Sequence, residues 1–304
     1  MMGGGSGGER DHGEAGDGGD DAAASFEPHR AYLVKVAYRM LGSVAEAEDV
    51  VQDAFLRWSA APRREVDEPR AYLTRTVTRL CVDRLKSARA RREQYVGTWL
   101  PEPLVEDAAA EPGAALAHEL SVALLVTLER LSPLERAAFL LHDVFELGWP
   151  EVAQTLERSE PAVRQLASRA REHVREDRPR FRASDEEAAR LAEAFHTAVV
   201  GGDLAAISQM LAADAVFYSD GGGKRRAALN PIYGRAKILR FLVGIAAKRG
   251  PLDPAAYHRA WINGMPGFIL HSPDGVETLA LQIEDGAIAA LYAVRNPDKL
   301  RHLS

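Results

Sequence analysis

Between residues 26 and 42 the apolar positions Leu33, Val36, Ala37, Met40 and Leu41 recur at intervals of three and four, which predicts an amphipathic helix stopped by Gly42. Ser43 with Glu46 three residues on forms a capping-box pattern for a second helix, whose buried stripe reads Ala47, Val50, Val51, Ala54, Phe55 and Trp58. The other surfaces of that helix carry Glu46, Glu48, Asp49, Gln52 and Asp53. After a break at residues 61–67, Pro69 stands in the first turn of a long helix. Its apolar side holds Leu73, Val77, Leu80 and Cys81, and a basic stripe runs through Arg75, Arg79, Lys86 and Arg89.

Residues 98–115 are rich in Pro, Ala, Gly and acids and are read as a linker, with Trp99 of the segment WLPEP expected to dock on a folded surface. A second helical region follows from Leu116: Ser132, Pro133 and Glu135 predict a helix start, Gly148 a stop. Short helices are predicted over Pro150–Leu156 and Glu160–Glu176. Val163, Leu166, Ala167, Ala170 and Val174 make one buried face of the latter, leaving Arg164, Gln165, Ser168, Arg169 and Arg171 outward, as the recognition helix of a helix-turn-helix requires. Arg and Gln at such positions can read base edges and the rest can hold phosphates, although a solvated basic face has the same pattern.

Beyond Arg182 the period changes. Helices are predicted over Glu186–Val200 and Leu204–Leu211, followed by strands at Ala215–Tyr218, Tyr257–Ile262, Phe268–His271, Thr278–Glu284 and Ile288–Arg295. Asp274-Gly275 and Asp285-Gly286 are turn signals between the later strands, so this part is α+β. The expected organisation is a Gly-rich acidic tail at 1–25, disordered, helical domains at 26–97 and 116–182 joined by the linker, and an α+β domain at 184–304.

Charge refines this picture. The net charge of -6 resides in the tail, since residues 26–183 carry 24 basic against 25 acidic side chains and residues 184–304 balance at 13 each. Two local basic patches stand out: residues 69–97 hold eight Arg/Lys against Asp83 and Glu93, and residues 158–182 hold eight Arg against four acids. Patches in a neutral background suit DNA contact made with the help of a partner. No apolar run reaches the length of a membrane span, and the single cysteine excludes an intrachain disulfide framework, so the chain is expected in the cytoplasm.

The segments EDVVQDAFLRW (Glu48 to Trp58), PRAYLTRTVTRLCVDRLKSARARRE (Pro69 to Glu93) and SEPAVRQLASRARE (Ser159 to Glu172) resemble regions 2 and 4 of extracytoplasmic-function sigma factors. WLPEP (Trp99 to Pro103), DGGGK (Asp220 to Lys224) and NPDKL (Asn296 to Leu300) resemble the signature motifs of the sigma-J-like group, which bears a C-terminal SnoaL-like extension. The resemblance implies a multidomain fold: two all-α domains, sigma region 2 and the region 4 helix-turn-helix, plus an α+β SnoaL/NTF2-like cone. It implies promoter-specific transcription initiation with core RNA polymerase and promoter DNA as partners.

By position, Asp49, Gln52 and Asp53 become candidates for docking on polymerase. Tyr72, Arg75, Arg79, Lys86 and Arg89 become candidates for the minus 10 element, with Tyr72 either a stacking platform or a core residue. Arg164, Gln165, Ser168, Arg169 and Arg171 become candidates for the minus 35 element.

Regulation in cis, with no separate anti-sigma factor required, would fall to Trp99, Pro101, Asp220, Gly221, Gly222, Gly223, Lys224, Asn296, Pro297, Asp298 and Lys299. Glu157 departs from the glycine usual in the turn of the motif, and a left-handed non-glycine residue there costs on the order of 1 kcal/mol.

The cone fold also hosts polyketide cyclases and ketosteroid isomerases, whose acid-base groups line a pocket. His196, Asp214, Tyr218, Asp220, His258 and His271 are the groups available here, at no diagnostic spacing. No catalytic residue, cofactor or metal ion is therefore expected. Two rivals remain: a C-terminal domain that binds or converts a small molecule, and a helix-turn-helix regulator that never touches polymerase.

Overall fold

A computed structural model of the chain describes residues 17–62, 66–92, 95–107, 121–176, 184–249, 253 and 256–303. Helix α1 (Asp17–Leu41) begins well before the predicted start, so the expectation of a disordered tail through residue 25 is corrected from residue 17 onward; residues 1–16 lie outside the described ones. Ala22 is fully buried and Ser25 Oγ accepts a hydrogen bond from Trp58 Nε1 at 3.1 Å. The physical reason is local: three successive alanines have the best helix propensity, and acids precede them where the helix dipole favours negative charge.

Helices α2 (Val44–Ala60) and α3 (Pro69–Arg92) follow as the periodicity predicts. Leu73, Val77 and Cys81 of α3 are buried, whereas Leu80 is half-buried. The linker residues Val105–Asp107 form a strand, β1. Reading this part as an unstructured connection is thus corrected; residues 108–120 lie outside the described ones.

Region 116–182 is seen as α4 (Val122–Leu128), α5 (Pro133–Phe139), a π-helical turn at Leu140–Val144, α6 (Trp149–Leu156) and α7 (Glu160–Glu176). Gly148 is the N-cap of α6 and not a stop; Glu151 Oε2 accepts from its N–H at 2.9 Å, and Pro150 can only sit in a first turn. The preceding helix ends instead through the π turn. Glu157 takes the left-handed conformation, at φ 53°, that its place in the turn of the motif requires.

The C-terminal domain runs α8 (Asp185–Gly201), α9 (Leu204–Met210), β2 (Leu211–Asp220), β3 (Ile232–Tyr233), α10 (Arg235–Arg249), β4 (Tyr257–Ile262), β5 (Met265–Ser272), β6 (Gly275–Glu284) and β7 (Ala287–Val294). Of these, β3 and α10 carried no strong periodic signal. The sheet order is β1-β4-β5-β6-β7-β2-β3, with β2 and β7 parallel and the other neighbours antiparallel. The linker strand β1 thus extends the C-terminal sheet, pairing Val105 with Ile262.

Alternation along the strands gives the sheet two apolar faces. Phe217, Leu281 and Leu291 face a core shared with Phe195, Ile207 and Ile238 from the covering helices. Ala260, Ala280, Tyr292 and Val294 face the opposite way, into a core completed by Leu100 of the linker and Val122 of α4. Helix α4 has a second apolar side, Leu125 and Leu128, buried with Leu33, Met40 and Leu73 of the first domain. One short helix therefore joins all three parts.

Candidate functional site

The residues of the three short motifs converge on Asp220, which is fully buried at the end of β2. Its carboxylate accepts from Tyr95 Oη at 2.6 Å, from the Leu100 N–H at 2.9 Å, from the Gly222 N–H at 3.0 Å and from Lys299 Nζ at 2.7 Å. Its backbone oxygen accepts from the N–H groups of Arg295 and Asn296. Asn296 Nδ2 donates to Tyr95 Oη at 2.8 Å, and Lys299 Nζ also donates to Leu100 O and lies 4.1 Å from the Trp99 ring centre. Burial, then the hydrogen bond to Asp220 and its charge, push the Tyr95 hydroxyl above the usual tyrosine range.

Lys224 closes the cluster on its exposed side, paired with Asp298 at 2.5 Å. That hydrogen bond, with a second from Arg301, holds the Asp298 carboxyl below the usual range. Pro297 opens the short 3₁₀ turn Pro297–Lys299 that aims Lys299 inward. The glycines are sterically required: a Cβ on Gly222 would fall 2.2 Å from Asn296 Nδ2, and one on Gly221 2.1 Å from Arg225 O. Gly223 lies against Val96. Residues 220–224 turn out of β2 toward its antiparallel neighbour β3 and form one wall of a latch, the contact with the linker.

The same linker grips the first domain. Glu102 Oε2 accepts from the Val44 N–H at 2.9 Å and from Ser43 Oγ at 3.0 Å, so a carboxylate 58 residues from Val44 caps the first turn of α2 alongside Ser43, whose Oγ accepts from the Glu46 N–H. The Glu102 N–H donates to Gly42 O at the end of α1. Trp99 and Pro101 pack over Gly42, where a Cβ would stand 2.7 Å from the indole. Tyr38 Oη donates to Glu102 O at 2.7 Å and accepts from Asn263 Nδ2 at 2.8 Å. Asn263, fully buried in the β4–β5 turn, also accepts from the Leu104 N–H. None of Tyr38, Tyr95, Glu102 and Asn263 was singled out from sequence. Asn263-Gly264 is a strong hairpin signal that could have marked one of them.

The two helical domains lie closed on each other. Arg136 of α5 is buried and donates to Met40 O at 2.7 Å, to Leu128 O at 2.9 Å and to Glu129 Oε1 at 2.6 Å. Burial lowers its guanidinium to about 9, so it stays charged at neutral pH. Arg75 Nη1 donates to Gln154 Oε1 at 2.8 Å; Arg79 donates to the Gln154 and Thr155 carbonyls and pairs with Glu157 at 3.0 Å. Two of the minus 10 candidates are thus engaged by the helix-turn-helix. They line a cleft of about 410 Å³ together with Arg57, Tyr72 and Thr76.

The remaining candidates distribute unevenly. Tyr72 is half-buried against Trp58 at 5.5 Å between ring centres, which favours its core role. Lys86 is exposed and paired with Asp83; Arg89 lies on α3, its side chain outside the described ones. Asp49 and Asp53 flank Arg84 at 3.3 and 3.5 Å, and exposed Gln52 and Leu56 continue the same side of α2.

On α7, Arg164, Gln165 and Ser168 are exposed; Arg164 pairs with Glu160 on its own helix and lies over the Trp149 ring of α6 at 5.1 Å. Arg169 is half-exposed and bonded to Glu135 at 2.8 Å; Arg171 is held by Asp143 at 2.7 Å. Burial works against the Glu135 anion, but hydrogen bonds from Ser132 and Arg169 outweigh it and keep the carboxyl below its usual range.

Between α8–α10 and the inner sheet face lies a cavity of about 540 Å³. His196, Asp214, Tyr218, Asp220, His258 and His271 do not line it. His196 stacks on Phe268, Tyr218 on Tyr292 in the opposite core, and Asp214, His258 and His271 are exposed. These six groups therefore do not converge on the cavity, whose titratable lining is instead Tyr257, Lys248, Asp274 and Glu277 with Arg226 and Arg295. No helix among the described residues is long and apolar enough to cross a membrane.

Comparison with known proteins matches residues 26–91 to Sigma-70 region 2 and residues 121–174 to Sigma-70, region 4. The ECF RNA polymerase sigma factor SigJ of Mycobacterium tuberculosis is 40% identical over 289 residues, covering 91% of this chain and 92% of that one. The crystal structure of the same extracytoplasmic function sigma factor superposes with a TM-score of 0.76 at 37% identity, over 92% of this chain and 98% of that chain. That likeness spans the C-terminal α+β domain as well as both helical domains.

Proposed function

The chain belongs to the extracytoplasmic-function sigma factors of RNA polymerase, and from that premise we propose that its C-terminal domain controls initiation in cis by holding the two DNA-reading domains closed. The partners are core RNA polymerase and promoter DNA. In our reading α7 reads the minus 35 element, α3 the minus 10 element, and the α2 side bearing Asp49, Gln52, Asp53 and Leu56 docks on polymerase.

The observation that carries the proposal is the capture of Arg75 and Arg79 by Gln154, Thr155 and Glu157. Elements about 25 base pairs apart are separated by roughly 85 Å of duplex, at 3.4 Å per pair. Domains that share one hydrophobic core cannot reach both. Initiation then requires opening, and any contact made only in the closed form opposes it.

The C-terminal domain makes such contacts on both sides: Asn263 with Tyr38, and the outer sheet face with Val122 of α4. No separate anti-sigma factor is needed for this restraint, and no chemistry is assigned to the domain.

Asn263→Gly tests it, because glycine keeps the turn at φ 49° while removing the amide that ties Tyr38 and Leu104. Run-off transcription is expected to rise several-fold and the radius of gyration to increase in small-angle scattering. Output and scattering equal to those of the parent would sink control in cis.

Alanine at Arg164 or Gln165 is expected to weaken minus 35 use by about 1–3 kcal/mol where a bidentate base contact is lost. Arg171→Ala should act mainly on stability, since its guanidinium is spent on Asp143. Promoter titrations of the three variants check this; equal loss in all three would reject the assignment of Arg164 and Gln165.

A further inference from the structure

The cavity under α8–α10 is walled by Phe195, Phe217, Phe241, Phe268, Leu279 and Leu291, and a few polar groups gather on one part of its lining. Among them Ser219 and Thr278 are almost fully buried, and the buried Glu277 carboxylate bridges Arg225 at 3.2 Å and Arg295 at 2.9 Å. Two guanidinium groups on one carboxylate leave a positive charge in excess. Arg226 adds another cation to the lining, while exposed Lys248 and Asp274 oppose each other in sign.

Arg295 Nη1 donates to Arg226 O and Nη2 to Glu277, and each Nη carries a second N–H for a further acceptor. The volume, 540 Å³, is that of about 18 waters at liquid density and lies in the range of small-molecule sites.

We propose that this cavity binds an apolar monocarboxylate of about 14–18 non-hydrogen atoms, its carboxylate on Arg295 and its body between the phenylalanine walls. A phosphate-sized anion would leave the apolar walls uncovered, and a neutral hydrocarbon would leave the excess positive charge unmet.

The site also sits one residue from the latch. Ser219 and Arg295 line the cavity, and the next residue of each, Asp220 and Asn296, holds Tyr95. Occupancy therefore shifts the closed-to-open balance; this part rests on the control in cis proposed above, whereas binding does not.

Isothermal titration of the full chain with tetradecanoate and with 2-naphthylacetate tests the site. At least one acid is expected to bind, and its alcohol analogue to bind at least about tenfold more weakly, the discrimination of one charge-assisted hydrogen bond. Ala246→Trp, on the exposed side of α10 at the cavity lining, is expected to abolish binding without unfolding the domain. Arg295→Met should lower affinity for the acid and leave the alcohol unchanged.

Absence of heat with both acids, equal affinity for acid and alcohol, or unaltered binding in Ala246→Trp would overturn the site. Run-off transcription with and without the bound acid reads the coupling. An unchanged output at saturation overturns the coupling alone, and the ligand-free Asn263→Gly measurement tells separately whether the latch reading stands.

Discussion

Asp220→Ala is expected to destabilise the chain by on the order of 3–5 kcal/mol, the size of breaking a buried charge pair from one side. The Asp220 carboxylate is fully buried and answers four donors, among them the Lys299 ammonium, whose side chain is 12% exposed. Alanine removes the acceptor and fills none of its volume, so the Leu100 N–H and the Tyr95 hydroxyl lose a partner together. Asp220→Asn keeps the shape and one acceptor oxygen and should lose less. Denaturant unfolding measures both, and a shift below about 1 kcal/mol for the alanine variant would refute the latch as a structural centre.

A change at Asp220 cannot therefore be expected to alter transcription while leaving the sigma domains untouched, because Leu100 and Val122 share the core on which Asp220 holds the linker. The same cluster predicts an alkaline limit. Tyr95 must be protonated to donate to Asp220, and its folded-state pKa is raised above the ordinary value of about 10. A raised folded value means that this stability is fully present below pH of about 10. It is lost as pH rises further, since the unfolded chain gives up the proton first. Tyr95→Phe should flatten that part of the pH profile.

Arg136→Leu is the second large effect, again expected at about 3–5 kcal/mol. Burial lowers this guanidinium to about 9, so holding the charge inside the protein already costs free energy. Leucine removes that cost but leaves the Met40 and Leu128 carbonyls and the Glu129 carboxylate without their donor, and that loss outweighs it. Met40 belongs to α1 and Arg136 to α5, so the loss falls on the contact between the two helical domains. Small-angle scattering should report expansion along with the lower unfolding midpoint. Adding Glu129→Leu should restore part of the stability but not the compactness. An unchanged midpoint would mean that Arg136 is dispensable to the closed form.

Much of the architecture was legible along the chain. The intervals from Leu33 to Leu41, the stripe from Ala47 to Trp58 and the two faces of α7 follow from a period of 3.6, which any buried helix must show. Strand β4 matches its expected range, Tyr257–Ile262, because Tyr257, Trp261 and Ile262 are side chains that suit a pleated surface. The local rules failed where a neighbour supplied what the segment lacked. Val105–Asp107 became a strand because β4 offered an open edge, and Gly148 opened a helix because Glu151 reached back to it.

The motif residues Trp99, Asp220, Asn296 and Lys299 could be picked out as one interdomain set, but not which of them touch. The sequence by itself determined which segments are helix or strand and which side of each is apolar or basic, because those properties repeat within a few residues. Only the tertiary structure decided that Asp220 meets Tyr95, Leu100 and Lys299, that Glu102 caps α2, and that Arg75 and Arg79 bond to the helix-turn-helix. Those contacts join residues 58 to 125 positions apart, and their energy comes from burial and geometry that exist only once the three parts have closed on each other.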